Sequence, residues 1–114
     1  MPSVEDYKTV LLAVNQNRIK LLLAHYHAPD RTLSATQLAN AVGYASYRGV
    51  NLQYGKLGYE MGVSLCYTPS ESYKDGTPIW TWVLATGHES DRGGDWEWTL
   101  RPGLAQALEE LGWV

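Results

Sequence analysis

Apolar residues along the first quarter of the chain recur at helical spacing. Val4, Tyr7, Leu11 and Val14 share one stripe, Asn15-Gln16-Asn17 interrupts it, and a second helical stretch runs to about His27. The pattern predicts two short helices, or one helix with a weak middle. Ala28-Pro29-Asp30-Arg31 then reads as a loop, because proline disfavours helix in the residue before it and cannot continue one. The next element is more sharply marked. Ser34 and Gln37 have the spacing of a capping box, Leu33 and Leu38 that of a hydrophobic staple, and Gly43 supplies a left-handed stop. A further helix is predicted from about Ser46 to Met61, with Val50, Tyr54, Leu57 and Met61 inward and Arg48, Asn51, Leu52, Gly55, Lys56 and Tyr59 on or toward the other side.

Beyond Gly62 the period changes to two. Val63, Leu65 and Tyr67 alternate with Ser64 and Cys66; Trp80, Trp82 and Leu84 with Ile79, Thr81 and Val83; Trp96, Trp98 and Leu100 with Glu97 and Thr99. Three strands are predicted there, joined by turn-rich loops at 69–77 and 86–94. A last helix starts with Pro102 at its first position and carries Leu104, Leu108 and Leu111 on its apolar stripe. Gly112 turns the chain so that Trp113 folds back over Leu108. The expected architecture is a single α+β domain over residues 1–114. Its element order is that of a winged helix-turn-helix, with N-terminal helices, a three-stranded antiparallel sheet and a C-terminal helix. Residues 34–43 take the place of the positioning helix and 45–61 that of the recognition helix.

Composition narrows the setting. The chain has 45% hydrophobic and 18% charged residues, and no apolar run approaches the roughly 20 residues that span a bilayer, so a soluble domain with no membrane partner is expected. The acidic start MPSVEDYK lacks an apolar signal region, and Cys66, the one cysteine, allows neither an internal disulfide nor a cysteine metal cage. A cytoplasmic location follows as the expectation. The net charge of −3 is unevenly spread: residues 1–62 carry six basic and four acidic side chains, residues 63–114 three basic and eight acidic. A nucleic-acid partner would have to meet the first half.

The stretch TQLANAVGYASYRGVNLQYGKLG resembles the small winged-helix module found, usually N-terminally, in bacterial HNH-type restriction endonucleases. The likeness lies in Gln37-Leu38-Ala39, Val42-Gly43-Tyr44, Tyr47-Arg48 and Val50 to Leu57. The ending EWTLRPGLAQALEELGWV resembles the close of that module through Trp98, Arg101-Pro102, Ala107-Leu108 and Leu111-Gly112-Trp113. The two pieces cover about half the chain. A more distant likeness is to the DNA-binding half of alkylguanine-DNA alkyltransferases, through Arg48-Gly49-Val50 at the start of the long helix. The nucleophile motif of that family is absent, since Cys66 stands in Leu65-Cys66-Tyr67-Thr68, and so is the histidine cluster of an HNH nuclease. What the resemblance implies is DNA binding without catalysis, in a restriction or phage-defence setting, with recognition of modified bases as a further step.

Other candidate chemistry is sparse. His25 and His27, spaced i, i+2, point to different helix faces and suit ordinary helix-end histidines better than a metal pair. His88 among Glu89, Asp91 and Asp95 matches no ligand spacing, and Asp95-Trp96-Glu97 lacks the lysine of a nuclease site. No cofactor is implied. Trp80, Trp82, Trp96 and Trp98 have two readings: one indole-rich sheet face packed on the helices, or an aromatic pocket that stacks a base. The leading expectation is a non-enzymatic protein that binds double-stranded DNA through Tyr44, Ser46, Tyr47, Arg48, Asn51 and Lys56, with Arg48 or Asn51 on base edges and Ser46, Tyr47 and Lys56 on phosphates. The competing expectation is an acidic protein-interaction module, either covering a partner's nucleic-acid site as some phage inhibitors do or forming a homodimer. Exposed Leu52 and Tyr59 and the negative net charge favour it.

Overall fold

A computed structural model of the chain describes residues 1–90 and 96–114. The interruption at Asn15 is a helix start. Helix α1 spans Val4–Leu11 behind a capping box, in which the Asp6 amide donates to Ser3 Oγ (3.1 Å) and the Ser3 amide donates to the Asp6 carboxylate (3.0 Å). Helix α2 spans Gln16–His27, and the Asn15 side chain accepts from the Arg18 amide at 3.0 Å. A short 3-10 turn, Pro29–Arg31, lies within the loop expected there.

Helix α3 spans Ala35–Val42 with both halves of the Ser34–Gln37 box formed, and Gly43 takes a left-handed φ of 83°. Helix α4 spans Tyr47–Ser64 from an Ser46 cap, and Val50, Tyr54, Leu57 and Met61 are all buried, as their periodicity predicts. Helix α5 spans Pro102–Glu110. It ends in a Schellman motif: Gly112 has φ 73° and donates to the Glu109 carbonyl (3.0 Å), and Trp113 donates to the Leu108 carbonyl (3.2 Å).

The first two expected strands are not strands. Residues 63–67 complete α4 and its turn. The Cys66 amide donates to Val63 O (3.2 Å) and the Tyr67 amide to Gly62 O (2.8 Å), with Cys66 at φ 53°. This is the same Schellman closure as in α5, with cysteine where glycine is usual, so the customary stop signal is missing from the sequence. Residues 79–84 are also not extended: Trp80–Val83 forms a second 3-10 turn, closed by Trp82 N–H to Ile79 O (3.0 Å) and Leu84 N–H to Thr81 O (2.8 Å). The cause is packing against α4. A Cβ at Gly58 would lie 2.0 Å from the Trp80 carbonyl oxygen, and one at Gly62 2.7 Å from the Trp80 ring. The backbone at Trp80 is thus seated directly on the helix, where no partner strand can reach it.

The sheet is nevertheless three-stranded and antiparallel, with order β1–β3–β2. Strand β1 is Thr32–Ser34, where the sequence predicts only the staple and cap of the next helix at Leu33 and Ser34; β2 is Ala85–Glu89, all but its first residue in the segment expected as a loop; β3 is Trp96–Leu100, as expected. Leu33 faces Trp98 on one side of β3 and Gly87 faces it on the other. Thr32 and Thr99 oppose each other with hydroxyl oxygens 2.8 Å apart. Residue 95 of the Asp95-Trp96-Glu97 reading, and Asp91 and Asp95 of the set around His88, lie outside the described residues.

One core joins these layers into an α+β fold. Helix α3 packs on α4, α4 on the Trp80–Val83 turn, and α1 on α5. The Tyr7 hydroxyl of α1, fully buried, donates to the Val83 carbonyl at 2.7 Å, and burial pushes its pKa up to about 12. Among the described residues no helix is long and apolar enough to cross a membrane.

Candidate functional site

The outward face of α4 presents Arg48, Asn51, Leu52, Lys56 and Tyr59 to solvent. Among the described residues the side chains of Arg48, Asn51 and Lys56 have no partner in the protein. The one acid of the helix, Glu60, is ion-paired with Arg18 of α2, whose Nε also donates to Gln53 Oε1 at 3.1 Å. The acids Glu5, Glu109 and Glu110 belong instead to α1 and α5, where Lys8 and Arg31 pair with them. The chain is acidic overall, yet this surface carries two cations that no acid of its own helix offsets.

The other expected contact residues fall at the start of α4. Ser46 caps the helix, accepting from the Arg48 amide at 3.3 Å, and Tyr47 is exposed. Tyr44 is half-buried and packs over Gly49, where a Cβ would come 2.8 Å from its ring. Tyr44 and Ser46 therefore shape the turn and the first helical residues, while Tyr47, Arg48, Asn51 and Lys56 are free to reach outward.

The four tryptophans do not form one sheet face, since only Trp96 and Trp98 lie on the sheet; Trp80 and Trp82 belong to the 3-10 turn. Tertiary structure still brings all four together. They line an open groove of about 1190 Å³ whose opposite wall is α4, through Asn51, Leu52, Gly55, Lys56 and Tyr59. Trp98 is its floor, 91% shielded and tilted against Tyr54 with ring centroids 5.1 Å apart. Trp80 meets Tyr59 edge-on at 5.0 Å. Trp82 is half-buried, its carbonyl held by Arg101 Nε at 3.0 Å. Trp96 is 52% exposed and lies on Gly87, where a Cβ would come 2.2 Å from its indole nitrogen. Gly55 opens the α4 wall, with nothing within 4 Å of the place its Cβ would take. Asn51 and Lys56 thus share a site with the tryptophans, whereas Tyr44, Ser46, Tyr47 and Arg48 do not line it.

Beneath the floor is a polar core residue that pattern reading misses. His25 is fully buried; its Nδ1 lies 2.8 Å from the Tyr54 hydroxyl and its Nε2 3.1 Å from the Trp98 carbonyl. A carbonyl can only accept, so Nε2 carries the proton and the Tyr54 hydroxyl donates to Nδ1. Desolvation lowers the His25 pKa to about 4, against the opposing pull of the carbonyl at Trp98. The same burial holds the Tyr54 hydroxyl well above the usual phenol range. The signal available was position: His25 stands three and four residues after Leu22 and Leu21, on the stripe that enters the core. His27, two residues on, is exposed.

The remaining candidates stay apart. His88 faces Glu97 across the β2–β3 pair at 3.8 Å, and Cys66 is exposed in its turn. Among the described residues no group of three or more histidine, cysteine or acidic side chains is placed to hold a metal ion. Comparison with protein-family models, with curated proteins and with solved structures finds no match to the chain.

Proposed function

We propose that the chain is a non-enzymatic DNA-binding domain of the winged helix-turn-helix type, with α4 as the helix presented to double-stranded DNA. The observation that carries this reading is the outward face of α4: Arg48, Asn51 and Lys56 are exposed and unpaired among the described residues, and the only acid of the helix is neutralised by Arg18. Unpaired cations and an amide are the groups that hold phosphates and read base edges. Support also comes from the chain path. Helices α3 and α4 are joined by four residues including Gly43, and β1 pairs with β3 of the hairpin that follows α4. A role in restriction or phage defence rests on the resemblance of residues 36–58 to the HNH-associated module.

Fluorescence anisotropy with a mixed-sequence labelled duplex, repeated over a salt series, tests the reading. Affinity should fall as salt rises, Lys56→Ala should reduce the slope of log K against log salt by about 1, and Arg48→Ala should weaken binding by about 1–3 kcal/mol and relax the sequence preference. Both variants should keep their thermal stability within about 0.5 kcal/mol, because neither side chain is packed. Absence of duplex binding at low salt would overturn the proposal.

A second reading is favoured by a separate observation. Leu52 is 55% exposed, Tyr59 51% and Trp96 52%, and these apolar side chains ring one groove. A protein-interaction module, binding a partner or a second copy of itself, would bury that ring. Sedimentation that depends on concentration, together with no affinity for DNA, would establish it.

A further inference from the structure

We infer that the groove between α4 and β3 receives a single unstacked nucleobase, with Trp96 as the stacking platform. The inference rests on the DNA-binding reading only for the strand that brings the base. The Nε1 edge of the Trp96 indole is set against Gly87, where any Cβ would come within 2.2 Å of Nε1, while half of the residue remains exposed at the groove. An indole pinned at one edge and half exposed at the groove offers ring surface for stacking, and such stacking is sequence-tolerant because every base has a π-face. Across the groove, Gly55 leaves bare backbone facing open space, so a planar group has room beside the helix. Asn51 and Lys56 stand on that same wall without partners among the described residues: an amide for the base edge and an ammonium for the adjoining phosphate. At about 1190 Å³ the groove is larger than most small-molecule pockets and open to solvent, suiting a base that stays attached to its strand.

A quaternary ammonium group is the other ligand that aromatic walls attract, here with Glu71 also lining the groove. The geometry disfavours it. A cage needs ring faces converging on one point, whereas Trp80 meets Tyr59 edge-on and Trp98 is tilted against Tyr54. Glu60, the other acid at the groove, is already held by Arg18.

The test compares two duplexes that differ only at one central position, fully paired in one and bulged by a single 2-aminopurine in the other, together with a single strand carrying the same base. Binding is followed by anisotropy and stacking by quenching of the 2-aminopurine emission. Wild type should bind the bulged duplex at least about tenfold more tightly than the paired one and quench the probe. Trp96→Ala should lose that preference, weakening the bulged complex by roughly 5- to 100-fold, the range of one stacked base, while affinity for the paired duplex stays within about twofold. Trp96→Tyr, which keeps an aromatic face, should restore most of the quenching. Equal affinity for both duplexes, or a preference that survives in Trp96→Ala, overturns the inference and leaves duplex binding through α4 intact. Trp96-dependent binding of the bulge or single strand without affinity for the paired duplex supports the inference and sinks the duplex reading. Trp96-dependent quenching of the protein's own fluorescence by tetramethylammonium, with none by the oligonucleotides, assigns the groove to cations and overturns it. No binding of any oligonucleotide overturns both.

Discussion

Two Trp-x-Trp triplets in this chain, Trp80-Thr81-Trp82 and Trp96-Glu97-Trp98, have the same period-two signature and fold differently. The second is the middle strand of the sheet, flanked on both sides by partners. The first is a 3-10 turn with its backbone pressed onto α4. Alternation of large and small side chains describes a strand only when a neighbour supplies the ladder. Trp96-Glu97-Trp98 has Leu33 and Gly87 opposite Trp98. Trp80-Thr81-Trp82 has instead a helix surface cleared of side chains by Gly58 and Gly62, close enough to fix the backbone by contact. The two triplets converge on one groove by different routes. In the strand one indole is sunk and one is exposed; in the turn both are half-buried.

The most damaging change should strike the buried member of the strand triplet. Trp98→Ala should cost about 3–5 kcal/mol in denaturant unfolding, the range for removing a large buried aromatic, because Trp98 is the groove floor and packs on Tyr54. A shift below about 1 kcal/mol would mean that the floor is carried by the turn instead.

The strand triplet is also tied to a titrating group. His25 donates to the Trp98 carbonyl, and its pKa is lowered from 6.5 to about 4 on folding. A depressed folded-state pKa means that the unfolded chain binds the proton more readily. The stability this neutral histidine contributes is therefore complete above about pH 6.5 and is lost as pH falls toward 4. The full loss is on the order of 3 kcal/mol, from 1.36 kcal/mol per pKa unit. Unfolding midpoints measured at pH 7, 5.5 and 4 check this, with His25→Gln as the control in which this part of the pH dependence disappears.

The turn triplet is best broken from the helix side. Gly58→Ala should destabilise by about 2 kcal/mol, since its methyl group would meet the Trp80 carbonyl and the overpacking outweighs alanine's better helix propensity. Gly55→Ala, one turn earlier on α4 and facing open space, should change stability in the opposite direction by at most about 1 kcal/mol. If both substitutions behave alike, contact with α4 is not what turns residues 80–83 away from strand.

Much of the helical half was legible because its signals are local. The Ser34–Gln37 box, Gly43, the buried stripe of α4 and the Gly112–Trp113 closure each depend on residues within a few positions of one another. Outward placement of Arg48, Asn51 and Lys56 followed from the same periodicity. The tryptophans were legible as one aromatic group, either a sheet face or a pocket, but the α4 wall opposite them was not. His25 reads in sequence only as a helix-end histidine, since what makes it a core residue is the hydroxyl of Tyr54 and the carbonyl of Trp98, 29 and 73 residues away.

Where an element's partner is distant in sequence, only the tertiary structure decided. Thr32–Ser34 is too short to announce a strand and exists because β3 lies beside it. Residues 63–66 continue a helix whose stop uses Cys66 in a left-handed conformation that sequence reserves for glycine. Residues 85–89, rich in turn formers, became β2 because the chain leaving the 3-10 turn runs alongside Trp96–Leu100. By itself the sequence determined which helix faces turn inward and which cations point outward, through periodicity and caps that act within one or two turns. Strand pairing, the groove and the histidine beneath it were decided by tertiary structure, because each requires groups that meet only once the helices have packed.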